Sequence, residues 1–308
     1  MAQRILRGAA ATLTVTICDA DGEPSDPSGT VTVGVVNAAG TVVVAPGTTT
    51  SRPTPSEDGR YLVAAPVATV LDEWTATWTN GSASWTSSHV VVGGFPFAAT
   101  DAYLDDAAIT PDKFPRAVVL ATRAEVEDEA EEICNRSFTP RYRRLTMDGS
   151  GTNTMVLPIN DIRRVRSVTV NGSALNVAYL RVVDDEFRNQ VQRIDRRPFD
   201  EDFDNVVFEV EYGLDAPPSD VRRAMLTRLR SRLGMPRTSI PDRANTFQGA
   251  DGRTYTLNRA TADSTGIDDV DAAYERHSLR KRAGRSTPAS RPMNFDPQRN
   301  SLFHGGFR

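Results

Sequence analysis

The chain has 308 residues, of which 39% are hydrophobic and 25% are charged, and its formal net charge at pH 7 is −4. This length accommodates two domains of ordinary size. The negative balance argues against a protein whose whole surface grips nucleic acid, and no apolar run reaches the ~18 residues that a membrane helix needs. We therefore expect at most local DNA contacts and no membrane contact.

Residues 1–98 carry the alternation of apolar and polar residues that is typical of β-strands. In "TLTVTI" (Thr12–Ile17) every second residue is a threonine, which argues against the continuous apolar core of a secretory signal. Short strands with regular turns, such as Asn80-Gly81, predict an all-β immunoglobulin-like sandwich with the tryptophans in its core. The later predicted strands are Thr30–Asn37, Thr41–Val44, Arg60–Pro66, Glu73–Thr79 and Ser84–Val92.

A linker is predicted at Gly93–Asp101, after which the apolar spacing becomes helical. Pro115 suits the first turn of a helix, and Asn135 suits the left-handed position that ends one. These signals predict a helix at Pro115–Cys134, which we name the acidic helix. Its apolar positions are Val119, Val126, Ala130 and Ile133, and its acids are Glu125, Glu127, Asp128, Glu129, Glu131 and Glu132.

Strands and a second helix follow the acidic helix. The predicted strands are Tyr142–Asp148, Thr154–Pro158, Val165–Asn171 and Asn205–Gly213. Before the last strand, the charged segment Asp184–Asp204 predicts a projecting hairpin. Ala216–Gly234 predicts a helix that begins with prolines, ends at a glycine and carries arginines on one face. Residues 99–235 are therefore predicted to form an α+β domain with helices and a small antiparallel sheet.

The regular patterns weaken after the second helix. Residues 236–280 predict a hairpin at Thr246–Asn258 and a short helix at Thr265–Ser278, which complete the second domain. Residues 281–308 carry almost no periodicity, and they set several basic residues and three phenylalanines against a single acid, Asp296. Such a segment cannot bury enough apolar surface to fold alone, so we predict an extended C-terminal arm.

The sequence contains no recognisable catalytic or metal-binding motif. The three histidines lie in a predicted strand, a predicted helix and the arm, and no pair has metal-ligand spacing. Nucleotide-binding and nucleophile motifs are missing. Asp101, Asp105 and Asp106 are more typical of solvated acids at a helix start than of a metal site. We therefore expect no enzyme activity, no cofactor and no metal.

Four segments of the second half occur in an order that is similar to a known family. They are "ICNRSFTPRYRRLTMDG" (Ile133–Gly149), "LPINDIRRVRSVTVNG" (Leu157–Gly172), "VEYGLDAPPSDVRRAMLTRLRSRL" (Val210–Leu233) and "TGIDDVDAAYERHS" (Thr265–Ser278). In this order the chain resembles the head-to-tail connector, or adaptor, proteins of long-tailed bacteriophages over roughly residues 101–280. The N-terminal sandwich departs from the smallest members, which are mostly helical, and has the position of a domain added in front.

The resemblance implies a structural virion protein of the neck, at the head-tail interface, assembled in the host cytoplasm. Relatives form a homo-oligomeric ring, usually of twelve subunits, beneath the portal protein. They extend the channel through which double-stranded DNA passes without sequence-specific binding, and they contact the next neck or tail-completion protein. In relatives the C-terminal segment embraces the portal. The corresponding arm residues here are Arg291, Phe295, Arg299, Phe303, Phe307 and Arg308.

A ring would give the segregated charges of the two helices a use, because each subunit must present complementary surfaces to its neighbours. Three alternatives remain open for the acids: pairing with arginines in the same chain, a solvated face, and a lining of the DNA channel. The residues assigned to an inter-subunit charge surface are Glu127, Glu131, Glu132, Arg222, Arg223 and Arg230.

A binding module is the alternative function. In that case the N-terminal sandwich would be an immunoglobulin-like adhesin that recognises carbohydrate, with tryptophans as the stacking platform, or a protein surface. The basic arm and the alternation at the N-terminus, which is unlike a secretory signal, weigh against this alternative.

Overall fold

The computed structural model describes residues 3–107, 109–234, 246–248, 254–256 and 264–280. This part of the chain is mostly β-sheet with a few helices. The strands of the N-terminal region are β1 (Gln3–Leu6), β2 (Ala11–Thr16), β3 (Thr32–Asn37), β4 (Val42–Thr49), β5 (Arg60–Ala65), β6 (Asp72–Asn80) and β7 (Ala83–Val92). The later strands are β8 (Arg141–Met147), β9 (Thr154–Val156), β10 (Ile162–Val170), β11 (Ser173–Leu175), β12 (Leu180–Val182), β13 (Gln190–Arg193), β14 (Val206–Tyr212), β15 (Thr246–Gln248) and β16 (Thr254–Thr256). The helices are α1 (Ala99–Asp105), α2 (Arg116–Cys134), α3 (Ser219–Gly234) and α4 (Asp268–His277).

The N-terminal strands form two sheets that share one core. The larger sheet has the order β1-β7-β6-β3-β4, and the smaller sheet pairs β2 with β5. The predicted alternation places Leu13, Val33 and Trp78 in the core, where all three are fully buried. The hairpin predicted near Asn80-Gly81 joins β6 to β7, and Gly81 adopts a positive φ of 57° that glycine tolerates without steric cost.

Helices α2, α3 and α4 pack around a second core. Val126, Met225 and Tyr274, one from each helix, are fully buried in it. The prediction for α2 is confirmed at its C-terminal end, at Cys134, and is one residue early at its start, since Pro115 is the N-cap and the helix begins at Arg116. Asn135 has a φ of 53°, and its backbone N–H donates to carbonyls of the last helical turn, which is the left-handed ending that asparagine tolerates.

The predicted linker at Gly93–Asp101 is wrong at its C-terminal end, because α1 begins at Ala99. The Asp101 carboxylate accepts the backbone N–H of Ala98 at 2.9 Å and so satisfies a donor at the helix start. Ala99 and Ala102 are buried against the helical core. Two alanines in a helix of 7 residues give too weak a periodic signal to separate it from a linker.

The sheets of the second half share a third core. Their strand orders are β11-β10-β14-β8 and β12-β13-β9. The projecting hairpin predicted at Asp184–Asp204 is wrong in its bounds, since its strands are β12 and β13, of which β12 ends before Asp184. The chain after β13 does not project, because Phe199 is fully buried there with its ring centroid 5.9 Å from that of Phe208.

The C-terminal elements lie where the sequence predicts them. Strands β15 and β16 pair within the hairpin predicted at Thr246–Asn258, and α4 lies within the helix predicted at Thr265–Ser278. The arm at 281–308 lies outside the described residues. Within the described ranges, none of the helices has both the length and the apolar character that crossing a bilayer requires.

The first testable prediction concerns the N-terminal region. A fragment of residues 1–97 should fold alone, because the core shared by its two sheets is built only from residues between Ile5 and Val91. Far-UV circular dichroism should show β-sheet, and thermal unfolding should be cooperative. In the same fragment Leu13→Ala should lower the free energy of unfolding by about 2–5 kcal/mol, because this side chain is fully buried. A random-coil spectrum for the unsubstituted fragment would refute the prediction.

Candidate functional site

One face of α2 carries a carboxylate that is buried between two arginines. Glu127 is 1% exposed, and Arg4 of β1 contacts it from the N-terminal sheet. Arg141 of β8 places its Nη2 atom 3.1 Å from Oε1 of Glu127 and 2.7 Å from Oε1 of Glu131. Arg4 also contacts the carboxylate of Asp128. We name these five residues the buried network.

The buried network connects β1, α2 and β8. Ser137 Oγ donates to Oε1 of Glu131 at 2.9 Å, so the Glu131 carboxylate accepts a hydroxyl hydrogen bond in addition to its contact with Arg141. Burial raises the pKa of Glu127, and the positive charges of Arg4 and Arg141 oppose that rise. Removing either arginine would leave the buried Glu127 carboxylate with one cationic partner instead of two, which is destabilising. The network therefore ties the N-terminal region to α2.

A second face of α2 pairs with α3. Glu129 accepts hydrogen bonds from Nε and Nη2 of Arg228 at 2.8 and 2.6 Å, and Nη2 of Arg232 lies 3.2 Å from its Oε1. Burial acts to raise the pKa of Glu129, but the bonds from Arg228 and Arg232 outweigh it and hold that pKa below its usual range. Here the acidic helix and the arginine-rich helix pair within one chain, which was one of the open alternatives.

The predicted inter-subunit charge surface is only partly at the surface. Its assignment is wrong for Glu127, which lies inside the chain, and Glu131 is half-buried against Arg141. Arg222 and Arg230 are exposed, but they form ion pairs with Asp101 and Asp106 at 2.7 and 2.8 Å.

The remaining two assigned residues, Glu132 and Arg223, are exposed. Neither forms an ion pair with any residue that the structure describes. Their role at a subunit boundary stays a prediction. The arm residues Arg291, Phe295, Arg299, Phe303, Phe307 and Arg308 lie outside the described part of the chain.

A second charged cluster forms directly after α2, at Arg136. Its Nη2 and Nε atoms donate to the two carboxylate oxygens of Asp161 at 2.7 and 2.9 Å, and Nη1 donates to the carbonyl of His277 at 3.4 Å. The backbone N–H of Gly213 donates to the carbonyl of Asp161 at 3.0 Å. Nε2 of His277 lies 3.0 Å from both carboxylate oxygens of Asp220. We name these five residues the Arg136 cluster.

Two backbone positions of the Arg136 cluster have positive φ. Asp161 has a φ of 56°, and its side chain is held by the paired hydrogen bonds from Arg136. Gly213 has a φ of 90°, and a Cβ there would lie 2.4 Å from the carbonyl oxygen of Thr139. Only glycine allows this close approach, so the cluster depends on Gly213 as well as on its charges.

A cleft of about 780 Å³ lies between α2 and the N-terminal sheet. Arg123 lines it, with its guanidinium 3.8 Å above the ring of Phe95. His89 is buried beside the cleft, and its Nε2 atom lies 2.9 Å from Oγ of Ser87, which accepts a hydrogen bond from Nε1 of Trp78 at 2.9 Å. Burial lowers the pKa of His89 to about 4, so the imidazole is neutral at pH 7.

The Ser87–His89 pair is better explained by packing than by nucleophilic chemistry. A histidine base needs a third group that orients its other nitrogen. Nδ1 of His89 has no hydrogen-bond partner among the described residues. Over the same residues, no group of three or more histidine, cysteine or acidic side chains could hold a metal ion. Two of the acids considered for a metal, Asp101 and Asp106, pair with arginines instead.

Sequence reasoning missed the partners of Glu127 and the role of Asp161. Arg4 gave no signal, because a basic residue near the N-terminus has many explanations. A signal for burial was nevertheless present on α2. Arg123 and Glu127 follow Val119 at intervals of four residues, and they therefore continue the apolar stripe of the helix instead of its polar face.

Comparisons with known proteins give little further information. No family model matches the chain, and no curated protein matches it. A solved chimeric titin tandem that carries a fibronectin peptide shares 10% sequence identity, with 70% of this chain and 95% of that chain covered and a TM-score of 0.24. The titin z1z2 domains in complex with telethonin share 12% identity, with coverages of 70% and 93% and a TM-score of 0.21. Similarities this low support no statement about fold or function.

A charge deletion tests the buried network. Glu127→Gln keeps the shape of the side chain but removes the charge that Arg4 and Arg141 share, while Arg4 keeps Asp128 and Arg141 keeps Glu131. We therefore expect the free energy of unfolding in urea to fall by about 1–3 kcal/mol. The matched control on the same helix is Glu132→Gln, which is exposed and should change stability by less than about 0.5 kcal/mol. Equal effects of the two substitutions would show that Glu127 is not held by compensating charges.

His89 predicts a pH dependence of stability. Its pKa of about 4 in the folded chain lies below the ordinary value of about 6.5, so the unfolded chain binds the extra proton first. This contribution to stability is complete above pH ~6.5 and is lost as the pH falls toward 4. Urea unfolding at pH 7 and pH 5 should therefore show a larger loss for the wild type than for His89→Gln. The prediction is wrong if both lose stability equally.

Proposed function

We propose that this chain is a structural virion protein, a head-to-tail adaptor of a long-tailed bacteriophage and not an enzyme. In this proposal an N-terminal immunoglobulin-like sandwich precedes an α+β connector domain and an extended C-terminal arm. The Arg136 cluster is the observation that supports it best. Each of the four segments that carry the family resemblance contributes to the cluster: Arg136 from the first, Asp161 from the second, Gly213 and Asp220 from the third, and His277 from the fourth.

The convergence matters because the four segments are far apart in the sequence. A chance resemblance would not require separate motifs to contact one another through paired hydrogen bonds and a glycine that tolerates no Cβ. Their residues form one packed unit, in which Sγ of Cys134 also donates to the carbonyl of Tyr274 at 3.5 Å. The motif residues therefore have a shared structural role, as expected if they define a domain family.

Rigid attachment of the N-terminal region supports a role in joining two assemblies. The buried network fixes β1 to α2, and further hydrogen bonds cross between the regions. Nη1 of Arg166 donates to the carbonyl of Leu71 at 2.8 Å, and the N–H of Gly93 donates to the carbonyl of Pro140 at 2.8 Å. A subunit built in this way keeps the relative placement of its surfaces, which a connector between head and tail requires.

In the proposed assembly the chains form a ring, expected to be twelve-fold, beneath the portal, and double-stranded DNA passes through its centre without sequence-specific contacts. Exposed carboxylates such as Glu125 and Glu132 repel phosphate groups and would favour passage of DNA over its retention. The arm at 281–308 docks on the portal, and another surface of the ring contacts a neck or tail-completion protein. The protein acts in the neck of the virion after assembly in the host cytoplasm.

The carbohydrate-binding alternative gains no support from the tryptophans. Trp74 and Trp78 are buried in the N-terminal core, and Trp85 is partly buried against it. A stacking platform for sugars needs an exposed ring face. We therefore propose no second function.

Removal of the arm tests the proposed portal contact. Deleting residues 283–308 should leave the rest of the chain folded but abolish co-sedimentation with the portal protein encoded by the same phage genome. Replacing Phe295, Phe303 and Phe307 with alanine should weaken docking strongly, because a buried aromatic anchor is typically worth about 2 kcal/mol or more.

A charge variant of the arm is the control for this experiment. Arg291, Arg299 and Arg308 replaced by glutamine should weaken docking less than the phenylalanine variant does, because arginines at the rim of an interface mainly steer association. Wild-type docking by the phenylalanine variant would contradict the aromatic anchor. Wild-type docking by the deletion variant would contradict the assigned role of the arm.

A further inference from the structure

An exposed aromatic side chain stands among carboxylates at one end of the second-half sheets. Phe203 is 85% exposed, although the burial of such a ring is strongly favourable in a folded chain. Its neighbours Asp200, Glu201, Asp202 and Asp204 are acids, and all four are exposed. We name Asp200–Asp204 the acidic plug. The Phe203 ring therefore buries little apolar surface within its own chain.

The acidic plug is held in place by its surroundings. The carbonyl of Asp202 accepts the N–H of Gly149 at 2.9 Å, and Nδ2 of Asn205 donates to the carbonyl of Asp200 at 2.8 Å. A Cβ at Gly149 would lie 1.7 Å from the carbonyl oxygen of Asp200, so this approach requires glycine. Phe199, directly before the plug, is fully buried. The structure thus presents Phe203 on a preorganised segment, which lowers the entropic cost of binding.

A groove of complementary character lies between α1 and α3. Its volume is about 780 Å³. Its apolar lining residues include Phe95, Leu104, Pro217 and Leu226. Leu104 is 85% exposed, and the exposed arginines Arg222 and Arg223 also line the groove. The groove contains one carboxylate, Asp101, which is paired with Arg222 at 2.7 Å.

The acidic plug and the groove lie at opposite ends of β14. The plug ends at Asp204, directly before the strand begins at Val206, whereas Pro217 of the groove follows the end of the strand at Tyr212. A strand of 7 residues spans ~20 Å. Since the plug is also pinned by Gly149, it cannot fill the groove of its own chain. Between two copies of the chain this limit does not apply: the plug of one copy can enter the groove of the other.

We propose that the acidic plug of one subunit docks in the α1–α3 groove of the next. Phe203 would enter the apolar part of the groove, and the surrounding carboxylates would face Arg222 and Arg223. The two surfaces differ and lie at opposite ends of one element, so the contact is head-to-tail and repeats from copy to copy. This inference rests on the proposed ring and deepens it. It assigns Arg222 and Arg223 to the acids of the plug instead of the acids of α2.

Sedimentation velocity and native mass spectrometry of the full chain test the contact. Phe203→Ala and Arg223→Glu should each weaken self-association by at least about tenfold, since each removes a central contact. Both residues are exposed, so circular dichroism should show an unchanged fold. Tyr179→Ala is the matched control, because this aromatic side chain is 51% exposed but lies outside the plug and the groove. It should associate like the wild type.

A charge exchange separates a direct contact from an indirect effect. Asp202→Arg should weaken self-association, and its combination with Arg223→Glu should recover most of the loss if the two side chains face one another across the contact. Wild-type association by both Phe203→Ala and Arg223→Glu overturns the plug while leaving a ring possible through other surfaces. A wild-type chain that stays monomeric at high concentration also overturns the plug, and portal docking then tests the adaptor function separately.

Discussion

Burial of the Glu127 carboxylate requires Arg4 and Arg141 to reach it from two other parts of the chain. A lone carboxylate in this place would be protonated or would destabilise the fold. Because Arg4 belongs to the first strand and Arg141 to the strand after α2, the pairing fixes the N-terminal sheets on the helix. The cleft beside His89 and the hydrogen bond of Arg166 to Leu71 lie along the same boundary between the two regions. The acidic helix α2 therefore joins the N-terminal sheets to the rest of the chain.

Some charges of α2 and α3 pair inside the chain, and others lie at the surface. Glu129 satisfies Arg228 and Arg232 inside the chain, which leaves Arg222 and Arg223 at the surface near α1. Arg222 pairs with Asp101 in its own chain, and in the proposed contact the acids around Phe203 of a neighbouring subunit face Arg222 and Arg223. Together with the Arg136 cluster, this gives a rigid unit with different surfaces at its ends, which is the form that a head-to-tail assembly needs.

Regular elements could be predicted from the sequence, and most long-range pairings could not. The stripe containing Val119 and Val126 predicted α2, and the alternation around Leu13 predicted the first sheet, because each pattern reflects burial of one face. The spacing of Glu127 from Val119 was a signal for its burial, but periodicity carries no information about which arginine meets which acid, so its pairing with Arg4 and Arg141 could not be predicted. The segment Asp184–Asp204 was predicted to project because it is highly charged. Burial of its Phe199 holds it against the core instead, which charge composition alone did not indicate.

Electron microscopy of the purified chain, alone and bound to the portal protein of the same phage genome, tests the adaptor proposal most directly. The account predicts closed rings of one symmetry, stacked coaxially on the portal, with an open central channel wide enough for duplex DNA. Density for the segment around Phe203 should lie against α1 and α3 of the neighbouring subunit. Single subunits or irregular aggregates, both without the portal and in its presence, would contradict the account.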